Sequence, residues 1–100
     1  MALFGHKGAL GIPAPADGDA KALELVRVWA SGGKQQVALR ADAWEDSAAW
    51  GIMLVDLARH VARAVEQLHG HSQAQTLARI RAGLDAEWAA PTDTPSGALK

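Results

Sequence analysis

The chain has no cysteine, no tyrosine, a single phenylalanine and no long apolar run. Without cysteine it cannot form disulfides, use a catalytic thiol or bind a metal through thiolates. The formal net charge of −1 is spread without blocks of one sign, so neither nucleic acid nor an anionic membrane is an expected partner. With no stretch of 18 apolar residues and no secretory hydrophobic region, the sequence predicts a cytoplasmic protein.

What is present suits one small domain, because 49% of the 100 residues are hydrophobic. Glycine and proline recur too often in residues 1–20 for a helix or a strand, so that segment is predicted to be a flexible N-terminal tail. Residues 92–100 are predicted to be a flexible C-terminal tail, which leaves 21–91 as the folded domain. Phe4 and Ile12 leave open whether the N-terminal tail docks on that domain.

A β-hairpin is predicted around Gly32 and Gly33, which form a two-residue turn between two alternating segments. This register places Val28 opposite Val37 and Val26 opposite Leu39 on one face of the ribbon. The other face pairs Trp29 with Gln36, Arg27 with Ala38 and Leu25 with Arg40. Because an isolated ribbon is marginal in water, the hairpin must bury surface against something else.

Two helices follow the hairpin. The first is predicted to begin near Asp46 and to end at Gly70, and the second to run from a Ser72–Gln75 capping box to Pro91. The short connection between them predicts antiparallel helices that pack their apolar stripes together. On the first helix the broad apolar face comprises Trp50, Met53, Leu54, Leu57, Val61, Ala64, Val65 and Leu68. On the second helix the stripe is Leu77, Ile80, Leu84 and Trp88.

The expected fold class is therefore α+β: a β-hairpin followed by two antiparallel helices (ββαα), with the helices packed on the Val26/Val28 face in two layers. Ile52 and Val55 project away from the main apolar face of the first helix. That half of the helix is expected to be covered on a second side, either by the N-terminal tail or by another subunit.

Asp56 and His60 lie one helical turn apart and could form a carboxylate–histidine dyad, with Arg63 beside them. No serine or threonine nucleophile shares that face, and arginines compete for the carboxylate. A solvated, ion-paired helix face is the simpler interpretation. The alternative function is a module that binds a small ligand or is weakly catalytic, using Asp56, His60 and Arg63. No catalytic residue is assigned.

His69 and His71 flank Gly70, but zinc sites need three or four protein ligands and no second cluster supplies the rest. We expect no metal and no cofactor. The Ser31–Lys34 segment lacks the Walker spacing and is predicted to be only a turn.

The outer face of the hairpin carries the main functional hypothesis. Trp29, with Arg27 and Arg40 as positive neighbours, could serve as a stacking platform for single-stranded nucleic acid. Two arginines on a chain of net charge −1 are weak support for that role, so a subunit interface or cover by the protein's own tail is favoured. We expect a twofold homodimer assembled through the hairpin, with an unidentified protein as a further partner. The expected interface residues are Leu25, Arg27, Trp29, Ala38, Arg40, Ile52 and Val55.

Three segments resemble a family of small alphaproteobacterial proteins of about this length and of unknown function. They are residues 24–29 (ELVRVW), 44–60 (WEDSAAWGIMLVDLARH) and 85–93 (DAEWAAPTD). The resemblance covers about residues 20–92 and implies a bacterial cytoplasmic protein. It implies no enzymatic activity, because the family offers no assigned catalytic residues to carry over.

Overall fold

The computed structural model describes residues 5–92 and the backbone of residues 98–99. It contains three helices and three strands. In chain order these are α1 (Ala14–Asp17), β1 (Val26–Ser31), β2 (Lys34–Leu39), α2 (Ala48–His69), α3 (Gln73–Ala89) and β3 (Ala98–Leu99). The α+β fold class with a ββαα order of hairpin and long helices is confirmed.

The hairpin has the predicted register. Val26 pairs with Leu39, Val28 with Val37 and Trp29 with Gln36. Both turn glycines have positive φ, 61° at Gly32 and 75° at Gly33, which is the conformation that two-residue hairpin turns require. Since L side chains are strained there, the Gly-Gly pair determines where the chain reverses and therefore which side chains share a face.

Both terminal segments contain regular structure that the sequence analysis did not predict. Residues 14–17 form one helical turn, because Pro15 fits the first turn of a helix, where no backbone N–H is needed. The expectation that no helix forms within residues 1–20 is wrong at this point. Near the other end, β3 pairs in parallel with Ala38 and Leu39 of β2, so the sheet order is β1-β2-β3. The outer edge of β2 is therefore partly covered, while among the described residues no strand pairs with the other edge of β1.

Helix α2 begins two residues later than Asp46, but that residue still contributes to its start. The Asp46 carboxylate accepts a hydrogen bond of 2.9 Å from the backbone N–H of Ala48. At the other end, Gly70 adopts φ 74° and its N–H donates to the Glu66 carbonyl at 2.8 Å. This left-handed glycine ends the helix where the sequence predicts.

Helix α3 begins with the predicted cap, since the Ser72 hydroxyl accepts from the backbone N–H of Gln75 at 3.1 Å. The reciprocal bond from the Gln75 side chain is not among the hydrogen bonds within residues 5–92. The Gln73 amide instead donates to the Glu66 carboxylate at 2.9 Å, which ties the two helices together across their connection.

The two long helices contact each other through a side of α2 that differs from the predicted one. Ala62 is completely buried and is the only buried residue within 5–92, and its neighbours Ala58 and Val65 are half-buried. On α3, Leu77 and Ile80 are half-buried, but Leu84 is exposed. Because alanine leaves room for close approach, α3 lies against the small side chains of α2 rather than against its leucine-rich face.

The predicted packing of the helices on the hairpin is not formed in the part of the chain that the structure describes. Among the described elements, the strands contact only one another and α2 contacts only α3. Val28, expected to face the core, is 55% exposed. The two-layer arrangement therefore lacks its internal interface in the described part of the chain. Helix α2 keeps exposed apolar side chains, whereas residues 8–17 lie beside β1 and partly cover the hairpin.

Candidate functional site: an uncovered apolar surface

The chain exposes far more surface than a folded monomer of its size. Its accessible surface is 8749 Å² for a mass of 10.5 kDa. Monomeric proteins of that mass expose only about 5,400 Å² by the usual scaling. The radius of gyration is 15.6 Å, whereas about 13 Å is typical of a compact chain of this length. Part of this surface consists of large apolar side chains of the described residues, and the hydrophobic effect favours their burial against another surface.

The most extensive uncovered face runs along α2. Its residues occupy positions spaced alternately by four and three, and we call this set the α2 seam. The α2 seam consists of Trp50, Leu54, Leu57, Val61, Ala64 and Leu68. Four of its side chains are strongly exposed, namely Leu54 at 52%, Leu57 at 50%, Val61 at 42% and Leu68 at 76%. Such a 4-3 spacing is the pattern by which one helix packs along another.

The α2 seam lies about 90° around the helix axis from the side that contacts α3. Helix α2 thus has two apolar sides, and α3 covers only the narrower one. At its N-terminal end the seam is braced by an edge-to-face contact between the Trp50 and Trp44 rings, whose centroids are 4.9 Å apart. The opposite side of α2 carries charged residues, including the ion pair of Asp56 and Arg59.

On the hairpin, much of the expected interface is already occupied by the chain itself. Trp29 is half-buried, and its ring contacts the His6 ring edge-to-face with centroids 5.0 Å apart. The Arg27 guanidinium pairs with the Glu24 carboxylate at 2.8 Å. Arg40 Nε donates to the Glu24 carbonyl at 3.2 Å. The His6–Trp29 contact favours docking of the N-terminal segment, the alternative that the sequence left open, whereas the two arginines bind Glu24, which lies just before β1.

The remaining expected interface residues divide between two regions. Leu25 is half-buried at the start of the hairpin, and Ala38 is exposed on β2. Ile52 and Val55 are 65% and 49% exposed on α2, so neither the N-terminal segment nor α3 covers them. The structure does not bring these two residues together with Trp29, since α2 contacts neither strand of the hairpin within the described chain.

The Asp56, His60 and Arg63 group lies on the solvent side of α2. Asp56 lies 3.6 Å from Arg59 Nη1, with both side chains more than 60% exposed. His60 and Arg63 are exposed as well. A cleft of about 590 Å³ lies away from this group, between residues 8–17 and β1, and its walls include Leu10, Leu23 and Val26.

His69 and His71 approach each other at the end of α2, with ring centroids 6.1 Å apart. Within residues 5–92 no three histidine or acidic side chains come together as a potential ion site. We expect untagged protein to carry no stoichiometric zinc, iron or manganese, because two imidazoles do not complete a zinc coordination sphere. Elemental analysis checks this, and a tightly held metal that is lost in the His69→Ala variant would contradict it.

These features define a small α+β chain whose most prominent surface is apolar. Residues 9–92 match the model of a family described as "Domain of unknown function (DUF5076)", and the chain belongs to that family. The match includes residues 9–20, which belong to the segment predicted to be a flexible tail.

One of the solved structures that resemble the chain is described as the structure of "a putative pyruvate dehydrogenase from the photosynthetic bacterium Rhodopseudomonas palustrus CGA009". The two chains are 32% identical and superpose with a TM-score of 0.68, and the alignment covers 87% of this chain and 89% of the other. No curated protein matches the chain. None of the helices in the described part of the chain combines the length and apolar character needed to cross a bilayer.

Proposed function

We propose that this protein is a non-enzymatic, self-associating interaction module that works as a homodimer in the bacterial cytoplasm. The observation that carries the proposal is the near absence of internal burial: Ala62 alone is buried within residues 5–92. Large exposed apolar patches usually mark interaction surfaces. We therefore expect the exposed apolar side chains of this chain to bind a partner. A bacterial origin is supported by the Rhodopseudomonas relative.

The amount of exposed surface is sufficient for a second copy of the chain to be the partner. A specific dimer needs a total buried area of about 1,000 Å² or more. The exposed surface exceeds that of a typical monomer by about 3,300 Å² for each chain, polar and apolar atoms together, which is more than such a contact requires. Proteins that fold only as dimers have interfaces that are as apolar as a protein core. The exposed side chains of the α2 seam are apolar in the same way.

Sedimentation equilibrium of the full chain tests the proposal. We expect the mass of a dimer at tens of micromolar, and a melting temperature that rises with protein concentration because association stabilises the folded state by mass action. A stable monomer whose melting temperature does not change with concentration would refute self-association.

The designation of the Rhodopseudomonas protein suggests an enzyme, and the Asp56, His60 and Arg63 group is where this chain could carry such a role. No hydrogen bond joins Asp56 to His60 in the described chain, and Asp56 pairs with Arg59 instead. A thermal-shift screen with small carboxylic acids separates the two functions. A saturable shift that disappears in His60→Ala would favour the ligand-binding module.

A further inference from the structure

We infer that the second copy binds along the α2 seam, so that two α2 helices pack antiparallel about a twofold axis. This inference rests on the proposed self-association and specifies its surface, which is a different one from the outer face of the hairpin. The contact would join Leu54, Leu57, Val61 and Leu68, the strongly exposed seam residues, to the same residues of a second copy.

Side-chain sizes favour the antiparallel orientation. With the twofold axis on the seam side of α2, at the level of position 59 along the helix, Leu57 lies opposite Val61 of the partner subunit and Leu54 lies opposite Ala64 of the partner subunit. The large Trp50 then faces Leu68 of the partner subunit, at the ends of the contact. Each layer pairs a larger residue with a smaller one, which fills space evenly.

A parallel pairing would fit less well. It would put Ala64 against its own copy and leave a gap, while Trp50 would meet a second tryptophan. Parallel α2 helices would also align their macrodipoles side by side, whereas an antiparallel pair opposes them.

The position of α3 is compatible with this contact. Because α3 lies against Ala58, Ala62 and Val65, about 90° from the seam, it leaves the seam open along the length of α2. The charged side of α2 then stays in solvent, with the Asp56–Arg59 pair directed away from the partner.

The lack of cysteine allows a clean crosslinking test, since an introduced thiol has no competitor. Chains carrying Leu54→Cys and chains carrying Ala64→Cys are mixed, allowed to exchange subunits and treated with a short bismaleimide. We expect mostly the mixed product, identified by its mass. Leu57→Cys mixed with Val61→Cys is a second pair, in case either first variant folds poorly. Arg59→Cys on the solvent side is the control and should not be crosslinked.

Any other result overturns the inference that two α2 helices pack antiparallel along the seam. Products that link a variant to itself, in excess over the mixed product, would show parallel helices. A link from Leu54→Cys to Val28→Cys of the other chain would show that the partner's hairpin covers the seam. A dimer by sedimentation with no seam crosslink would place the interface elsewhere and leave self-association intact, whereas a monomer by sedimentation would refute self-association itself.

Discussion

Leu57→Glu is expected to convert the proposed dimer to monomers and to lower the melting temperature. Leu57 lies at the middle of the α2 seam and is 50% exposed in the single chain, so its burial depends on the partner. A carboxylate in that apolar contact has no described positive partner and loses its hydration, which is costly. We expect the dimer dissociation constant to rise at least about 100-fold, roughly 2.8 kcal/mol, in sedimentation velocity experiments over a range of concentrations.

Ile52→Glu is the matched control, because it makes the same kind of substitution on the same helix. Ile52 is 65% exposed and lies about 140° around the axis from Leu57, away from the seam. We expect a change in the free energy of unfolding within about 0.5 kcal/mol and no change in mass. The opposite pattern, with Ile52→Glu monomeric and Leu57→Glu dimeric, would support the interface expected around Ile52 and Val55 instead.

Trp29→Glu is expected to produce the second large effect, a loss of about 1–3 kcal/mol in the free energy of unfolding measured by urea denaturation. The indole is half-buried, and its edge-to-face contact with His6 joins the N-terminal segment to β1. A glutamate would remove that contact and leave the wall of the neighbouring cleft without its aromatic ring.

His6→Ala separates the contribution of the His6–Trp29 contact from that of the indole in the wall of the cleft. We expect it to cost about 0.5–1.5 kcal/mol, and the double variant to cost less than the sum of the two single variants, because the rings interact. If Trp29→Glu also dissociates the dimer while His6→Ala does not, the outer face of the hairpin takes part in assembly. If neither variant changes stability, the N-terminal segment does not dock on Trp29.

Local signals in the sequence determined the hairpin and the limits of the helices. The Gly32-Gly33 pair can adopt the positive φ angles of a two-residue turn, and the register from Val26↔Leu39 to Ser31↔Lys34 follows from a turn at that position. Gly70 and Ser72 end and begin helices through bonds to residues three or four positions away. Such signals can be read from a sequence because the groups that interact are neighbours along the chain.

The sequence predicted which residues share the candidate site but not that they are exposed. The six residues of the α2 seam belong to the broad apolar face that the helical spacing predicts, but that face was assigned to the interior of the chain. Periodicity shows which side chains share a face and gives no information about what covers it. The alternating spacing of four and three was the available signal that the face fits a second helix.

Only the tertiary structure decided which side of α2 is covered. Two apolar sides compete for α3, and close approach over Ala58 and Ala62 is preferred to contact with the larger leucines. The hairpin and the helix pair also remain apart within one copy, which no local pattern could indicate. Both outcomes depend on the summed packing of distant residues, and it is this packing that leaves the α2 seam exposed.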